Sequence, residues 1–213
     1  MNSSDLLAWW LGCPTQTGYV GNIPGGQSMP VFTSDDDGKT YQTATGTGTG
    51  KYAMPFKGLA ECQIAELNNG SVIVNARNEL GSAAPPEGVH HRAVSISHDG
   101  GSSWMPYRFD RDLIEPTCMA GLINFHGDLY FSNPATTHGR DHMTLKKSTD
   151  QGASWKVENL IYGGPAAYSL VVPLTNATLG DTCIGCDAFL GVVYERNEPG
   201  TKNMTIAIVD LGV

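Results

Sequence analysis

Long helical and long apolar stretches are both missing from this 213-residue sequence. No segment keeps a helical period for more than about two turns, and 26 glycines and 12 prolines interrupt the chain. The apolar run at residues 6–13, LLAWWLGC, is too short to span a bilayer, and it lacks the basic flank and clear cleavage site of a signal peptide. We interpret it as a buried strand or strand remnant, with a degenerate signal sequence as the alternative. The composition favours an all-β fold.

Basic residues are few. There are 13 lysines and arginines against 21 acidic residues, so the net charge is −8. This balance argues against nucleic acid or an anionic membrane surface as the main partner. A small anionic ligand would need a locally positive pocket within this acidic background.

The sequence also lacks a complete set of metal ligands. Cys183 and Cys186 have CxxC spacing, but the five cysteines contain no second CxxC that would complete a zinc site. His90 and His91, which are adjacent to each other in the sequence, would be a poor substitute for that second pair of ligands. His138 and His142 are four residues apart, yet Gly139 and the strand that follows argue against the helix that would bring them onto one metal. We therefore predict no metal and no cofactor.

One stretch, residues 61–77, has an acid at its start, an arginine at its end and a hairpin between them. The turn Asn68–Gly70 separates a short run, CQIAEL, from an alternating strand, SVIVNARN. Folding at this turn returns Arg77 to within side-chain reach of Glu61. The two side chains either belong to a functional site at one rim of a sheet or form an ordinary cross-strand ion pair, which would contribute under about 1 kcal/mol to stability.

A turn motif of the form S-x-D-x-G-x-[ST]-[WY] occurs three times, at residues 34–41, 97–104 and 148–155. In each copy the aspartate accepts hydrogen bonds from turn amides, the glycine supplies a positive φ, and the final aromatic residue returns into the core. We predict hairpin turns of a structural repeat. A calcium loop is the alternative for the three aspartates of the first copy, although they do not alternate as an EF-hand requires.

Candidate strands lie between these turns, about four to a repeat, as in the antiparallel blades of a β-propeller. A β-sandwich is the alternative, but it would not explain one identical turn in each repeat. The repeated turn resembles the Asp box of the sialidases (neuraminidases). Further segments resemble the same family, in the same order, and look most like its animal lysosomal branch: residues 61–78, FSNPA at 131–135, GGPAAYS at 163–169 and VVYER at 192–196.

The resemblance implies a six-bladed propeller, with about four blades represented here, that cleaves terminal sialic acid with retention. It assigns Tyr168 as the nucleophile, Glu61 as its partner base, Arg77 and Arg140 as two of three arginines that bind the sugar carboxylate, and Glu195 as a supporting residue. A neutral phenol approaches the carboxylate-bearing anomeric carbon without the charge repulsion that an acid would meet. Since the unperturbed pKa of tyrosine is near 10, the phenol needs a neighbouring base.

Two family features have no match upstream of the first Asp box. Residues 1–33 contain no arginine, no F-R-x-P motif, and only Asp5 as an acid. We therefore expect residues 31–213 to be a partial sialidase propeller preceded by an uncertain segment, 1–30. Missing blades or oligomerisation would then occupy the open sheet edges. The chain by itself is expected to be inactive.

The resemblance further implies sialylated glycoproteins, oligosaccharides or gangliosides as substrates and a lysosomal or secreted location. Four N-x-S/T sequons, which suit a secretory protein but also arise by chance, begin at Asn2, Asn69, Asn176 and Asn203. Two alternatives remain: a non-catalytic sialic-acid-binding or scaffold propeller, and an Asp-box glycosidase that acts on a neutral sugar.

Overall fold

The computed structural model describes residues 28–29, 31–34, 36, 38–46, 56–80, 90–174, 189–198 and 201–212. Most of the predicted N-terminal segment, the CxxC pair and the sequons at Asn2 and Asn176 lie outside these residues, so those predictions stay untested. All regular elements in the described part are β-strands. None of the described residues belongs to a helix of the length and apolarity that crossing a bilayer requires. The chain divides into two compact units, residues 1–111 and 112–213.

The first unit is built around a four-stranded sheet. Its strands are β6 (Leu59–Glu66), β7 (Val72–Asn78), β8 (His91–Ser97) and β10 (Arg108–Ile114), in the order β10-β8-β7-β6, and β10 runs past the unit boundary. β6, β7 and β8 are antiparallel neighbours. Among its described residues this unit also has six short strands: β1 (Ser28–Met29), β2 (Phe32–Thr33), β3 (Gln42–Thr43), β4 (Thr45–Gly46), β5 (Phe56–Lys57) and β9 (Ser103–Trp104).

The turn between β6 and β7 lies where the sequence predicts it. The amide of Gly70 donates to the carbonyl of Leu67 at 2.9 Å, and the amide of Leu67 donates to the carbonyl of Ser71 at 2.8 Å. Gly70 has a φ of +78°, which glycine adopts at little cost. The predicted hairpin is therefore confirmed, and β7 is buried on both faces rather than on alternate residues.

Aromatic side chains hold the core of the first unit together. The ring of Phe56 meets the rings of Trp104 and Tyr107 edge to face, with centroids 6.4 and 5.8 Å apart. All three residues are buried. Such pairs add about 0.5–1.5 kcal/mol each beyond the area that they bury.

The described part of the second unit contains six antiparallel strands in chain order. They are β11 (Gly121–Phe125), β12 (Asp128–Pro134), β13 (Asp141–Ser148), β14 (Lys156–Leu174), β15 (Phe189–Glu198) and β16 (Thr201–Asp210). The 19-residue β14 pairs with β13 through its first part, as far as Pro165, and with β15 from Ala166 onward. One strand thus ends one sheet and begins the next, and Tyr168 lies just after that change of partner.

The three repeated turns have the same hydrogen bonds. In each, the serine hydroxyl donates to the aspartate at 2.8–2.9 Å and accepts from the glycine amide at 2.7–2.8 Å. The residue four after the aspartate donates its amide at 2.8–2.9 Å and its hydroxyl at 2.5–2.7 Å to the carboxylate. The glycines have φ values of +81°, +92° and +85°. The predicted aspartate and glycine roles are confirmed.

The predicted aromatic role holds in two copies and is wrong in the first. Trp104 and Trp155 are buried, whereas Tyr41 is 53% exposed. Trp104 belongs to β9, which pairs with β4, but Tyr41 precedes the two exposed residues of β3. Its hydroxyl instead lies over Gly38, where an added Cβ would be only 2.9 Å away.

Candidate functional site

Glu61 lies in a β-bulge of β6. Ala60 pairs with Arg77 and Gln63 pairs with Asn75, so Glu61 and Cys62 together face one residue of β7. Glu61 has a φ of +35°, which is unusual for a residue other than glycine. Bulges redirect side chains and are frequent next to active sites. Strand β6 begins at Leu59, so Glu61 is inside the strand and not at its outer end as predicted.

Arg77 lies between two carboxylates. Its Nη1 is 2.5 Å from Oε2 of Glu61, and its Nε is 2.6 Å from Oε1 of Glu79. The arginine side chain is only 14% exposed, and those of the two glutamates are 29% and 22% exposed. The structure therefore brings Glu61 and Arg77 together as predicted, and it adds Glu79 as a second acidic neighbour.

Arg92 supports the bulge from within the sheet, although no sequence motif points to it. Its side chain is fully buried. Its Nε donates to Oδ1 of Asn75 at 2.7 Å, and its Nη2 donates to the backbone carbonyl of Glu61 at 3.4 Å. The signal in the sequence is an arginine inside the otherwise weakly polar strand RAVSIS, since arginine is rarely buried without partners.

Tyr168 lies in a second bulge of similar form. Ala166 pairs with Arg196 and Ser169 pairs with Tyr194, so Ala167 and Tyr168 together face Glu195. The amide of Tyr168 donates to Oε2 of Glu195 at 3.4 Å. The predicted nucleophile, Tyr168, and the predicted base, Glu61, thus each lie in a β-bulge.

Arg140 lies beside the ring of Tyr168. Its Cζ is 5.6 Å from the ring centroid, and its Nη2 donates to the carbonyl of Thr117 at 2.8 Å. Its own carbonyl accepts from the amide of Ala166 at 2.9 Å, which joins the Arg140 loop to the start of the Tyr168 bulge. Arg140 is exposed, so its guanidinium is accessible to an anion.

Arg196 is a further cation, to which the sequence motifs assign no role. Its Cζ is 4.4 Å from the centroid of the Tyr162 ring, and its backbone pairs with Ala166 at the edge of the Tyr168 bulge. The signal in the sequence is its place directly after Glu195. Tyr168, Arg140, Glu195 and Arg196 are therefore grouped around one irregularity of β14.

The five predicted residues fall into two groups. Glu61 and Arg77 are in contact in the first unit, and Tyr168, Arg140 and Glu195 are near one another in the second. That the two groups form one site stays a prediction.

The two histidines that were considered for metal binding have other contacts. Nδ1 of His142 is 2.6 Å from Oδ1 of Asp141, and the ring of His138 contacts the hydroxyl of Thr137 at 3.2 Å. Within the described ranges, no three His, Cys, Asp or Glu side chains are grouped to hold a metal ion.

Comparison with known proteins gives the family. The family described as BNR repeat-like domain matches residues 8–180. A sialidase of Micromonospora viridifaciens is 32% identical over 164 residues, which is 72% of this chain. The chain belongs to the BNR-repeat sialidase family.

Solved sialidase structures show the same propeller fold. The Hadza microbial sialidase Hz136 superposes with a TM-score of 0.60 at 23% identity, covering 89% of this chain and 36% of that one. The Trypanosoma rangeli sialidase in complex with sialic acid superposes with a TM-score of 0.56 at 20% identity, covering 87% of this chain and 27% of that one. This sialidase-family chain spans 23% of the length of the Micromonospora relative. The expected sialidase β-propeller is confirmed, and the β-sandwich alternative is not supported.

Proposed function

We propose that this chain carries the nucleophile half of an exo-α-sialidase site, which hydrolyses terminal sialic acid with retention of configuration. The observation that carries the proposal is the group formed by Tyr168, Arg140 and Glu195 at a bulge of β14. A phenol beside an exposed guanidinium suits a sugar that bears a carboxylate on its anomeric carbon. Membership of the sialidase family supports the same reaction.

In the proposed reaction the oxygen of Tyr168 attacks the anomeric carbon as the bond to the leaving group breaks. Glu61 accepts the phenolic proton, and a covalent aryl glycoside forms. Water then attacks the same carbon and Glu61 returns its proton to the departing phenolate, so two inversions give net retention. The alcohol that leaves in the first step takes a proton from solvent, and the attacking water releases one to solvent in the second step, so protons balance over the cycle. The proposal requires that Glu61 of the first unit and Tyr168 of the second unit meet at one sugar.

The arginines would bind the sugar carboxylate. Each charge-assisted hydrogen bond contributes roughly 1.5–3 kcal/mol, and a planar guanidinium matches a planar carboxylate. Arg140 is exposed and accessible. Arg77 already contacts Glu61 and Glu79, so a bound sugar carboxylate would join a cation whose position is set in advance.

Two roles of the family site have no residue assigned in this sequence: the third arginine and the general acid/base aspartate. A site without these two groups would lack several kcal/mol of transition-state stabilisation and on the order of a hundredfold in proton transfer. We therefore expect the 213-residue chain to bind sialic acid but to hydrolyse a fluorogenic sialoside no faster than Tyr168→Phe.

Calorimetry with sialic acid tests the site, with Arg140→Ala as the variant and Lys156→Ala, an exposed cation on β14, as the matched control. Arg140→Ala should weaken binding at least tenfold, since one charge-assisted contact is lost. Lys156→Ala should leave binding unchanged. An equal affinity in both variants would contradict the carboxylate role and favour a neutral-sugar glycosidase.

A second measurement separates an enzyme site from a simple binding site. An unsaturated sialic acid analogue, flattened at the anomeric carbon, imitates an oxocarbenium-like transition state. An enzyme-derived site should bind it at least a hundredfold more tightly than sialic acid. Similar affinities for both ligands would support the non-catalytic binding propeller.

The narrower likeness to the animal lysosomal branch also belongs to this proposal, as do glycoprotein, oligosaccharide and ganglioside substrates. A lysosomal or secreted location stays a prediction from the resemblance and the sequons.

A further inference from the structure

The backbone of Glu61 has a conformation that its surroundings must support. Its φ of +35° lies in the region that favours glycine, and a residue with a Cβ keeps such a conformation only where neighbouring contacts hold it. The carboxylate of the same residue lies 2.5 Å from Nη1 of Arg77. A group that holds the Glu61 backbone therefore also determines where this carboxylate meets the guanidinium.

Arg92 reaches the Glu61 backbone across the sheet. It lies on β8, and β7 separates β8 from β6, the strand that contains Glu61. Nη2 of Arg92 donates to the backbone carbonyl of Glu61 at 3.4 Å. A bulge disrupts the hydrogen-bond ladder between strands, so a side-chain donor can reach a carbonyl that a regular sheet would direct at a neighbouring amide.

Asn75 of β7 fixes the guanidinium of Arg92. Nε of Arg92 donates to Oδ1 of Asn75 at 2.7 Å, and Nη2 donates to the Asn75 carbonyl at 3.4 Å. Both residues are fully buried. Asn75 also pairs with Gln63, which directly follows the bulge. A planar group that is held at two of its nitrogens has a defined orientation, which the single ammonium of a lysine would not reproduce.

We propose that Arg92 is a positioning residue of the sialidase site, which holds the strained backbone of Glu61 so that the Glu61 carboxylate is directed at Arg77. The inference rests on the proposed function, in which Arg77 binds the sugar carboxylate and Glu61 accepts the phenolic proton. Arg92 is buried and acts only through Glu61. Its effect is that the acid and the arginine are arranged before the sugar binds.

Urea denaturation of Glu61→Gly and Glu61→Ala tests whether Arg92 holds this backbone. Both variants lack the carboxylate and differ only in the Cβ. Glycine usually destabilises a strand relative to alanine, but at position 61 it should give the higher denaturation midpoint, because it adopts a φ of +35° without strain. In an Arg92→Lys background the backbone can relax, so alanine should give the higher midpoint.

Glu66, an exposed residue of β6 outside the positive-φ set, is the matched control position. There alanine should give a higher midpoint than glycine in both backgrounds. Asn75→Ala is a second variant, because it removes the partner of Nε while Arg92 stays in place. It should reduce the advantage of glycine over alanine at position 61, and it is measured whether or not Arg92→Lys folds.

Calorimetry with sialic acid tests the link to the site. Arg92→Lys should weaken binding about fivefold or more in the wild-type background. In a Glu61→Ala background the same substitution should change the affinity by less than about twofold, since the carboxylate through which Arg92 acts is absent. Arg108→Lys, an exposed arginine of β10 in the same sheet, should leave the affinity unchanged.

Three results would overturn the proposal. The first is alanine at position 61 that is as stable as glycine when Arg92 is present. The second is an advantage of glycine that persists in both Arg92→Lys and Asn75→Ala. The third is an Arg92→Lys substitution that weakens binding equally with and without the Glu61 carboxylate, as a general loosening of the sheet would. A wild-type chain that does not bind sialic acid would contradict the proposed function, while the denaturation series would still decide whether Arg92 holds Glu61.

Discussion

The repeated turn at Asp150 makes a measurable prediction about stability. Its carboxylate accepts hydrogen bonds from the hydroxyl of Ser148 at 2.8 Å, the amide of Ser154 at 2.9 Å and the hydroxyl of Ser154 at 2.6 Å. The bonds from Ser154, first its hydroxyl and then its amide, lower the pKa of Asp150 from 3.8 to about 2. The bonds favour the ionised carboxylate, so they should be weakened when it is protonated or replaced by an amide.

The magnitude follows from linkage between protonation and folding. A shift of this size corresponds to roughly 2.5 kcal/mol at most. Because Asp150 is exposed, solvent screening reduces the expected value to about 1 kcal/mol. The folded-state pKa is below the unfolded value of 3.8, so this contribution is complete above about pH 4 and is lost as the pH falls toward 2.

Urea denaturation of Asp150→Asn and the wild type checks this reasoning. At pH 7 the variant should have a free energy of unfolding about 1 kcal/mol lower, and the difference should shrink toward zero near pH 2. Glu158→Gln, which changes an exposed carboxylate on β14, should differ from the wild type by less than about 0.5 kcal/mol. An equal stability of Asp150→Asn and the wild type at pH 7, or a deficit that persists at pH 2, would refute the linkage.

Two further predictions concern packing. Trp104→Ala should lower the free energy of unfolding by about 3–5 kcal/mol, because the Trp104 side chain is buried. Tyr41→Ala, at the matching position of the first repeat, should change it by under about 1 kcal/mol because Tyr41 is exposed. Similar losses of stability in thermal denaturation of the two variants would contradict this difference in burial. Gly121→Ala should destabilise by about 1–3 kcal/mol or more, since its Cβ would be 2.6 Å from the backbone nitrogen of Val171, which cannot move away as a flexible side chain would. A chemical denaturation midpoint equal to that of the wild type would show that the backbone adjusts there freely.

Features whose contacts lie close together in the chain could be read from the sequence. In each Asp box the side-chain hydrogen bonds of the serine and the aspartate join residues at most four apart, so the spacing of serine, aspartate and glycine is enough to predict them. The hairpin between β6 and β7 is similar, since the turn at Gly70 determines which residues face each other. This is why the contact between Glu61 and Arg77 could be expected before the fold was known.

Features that depend on distant residues could not be read in this way. A β-bulge changes the register by one residue without a distinctive composition, so the sequence does not show that Glu61 and Tyr168 are the residues displaced. Arg92 looks like any strand cation until the fold surrounds it with Asn75 and the carbonyl of Glu61.

The sequence by itself determined the all-β class, the repeated turns, the hairpin and the residue types suited to a sugar carboxylate, because each depends on local spacing or on chemistry. Only the tertiary structure decided that Tyr41 faces outward while Trp104 is buried and that Arg140 lies beside Tyr168. Those outcomes depend on which strands become neighbours. Pairing between segments far apart in the chain is set by the packing of the whole sheet and not by any one segment.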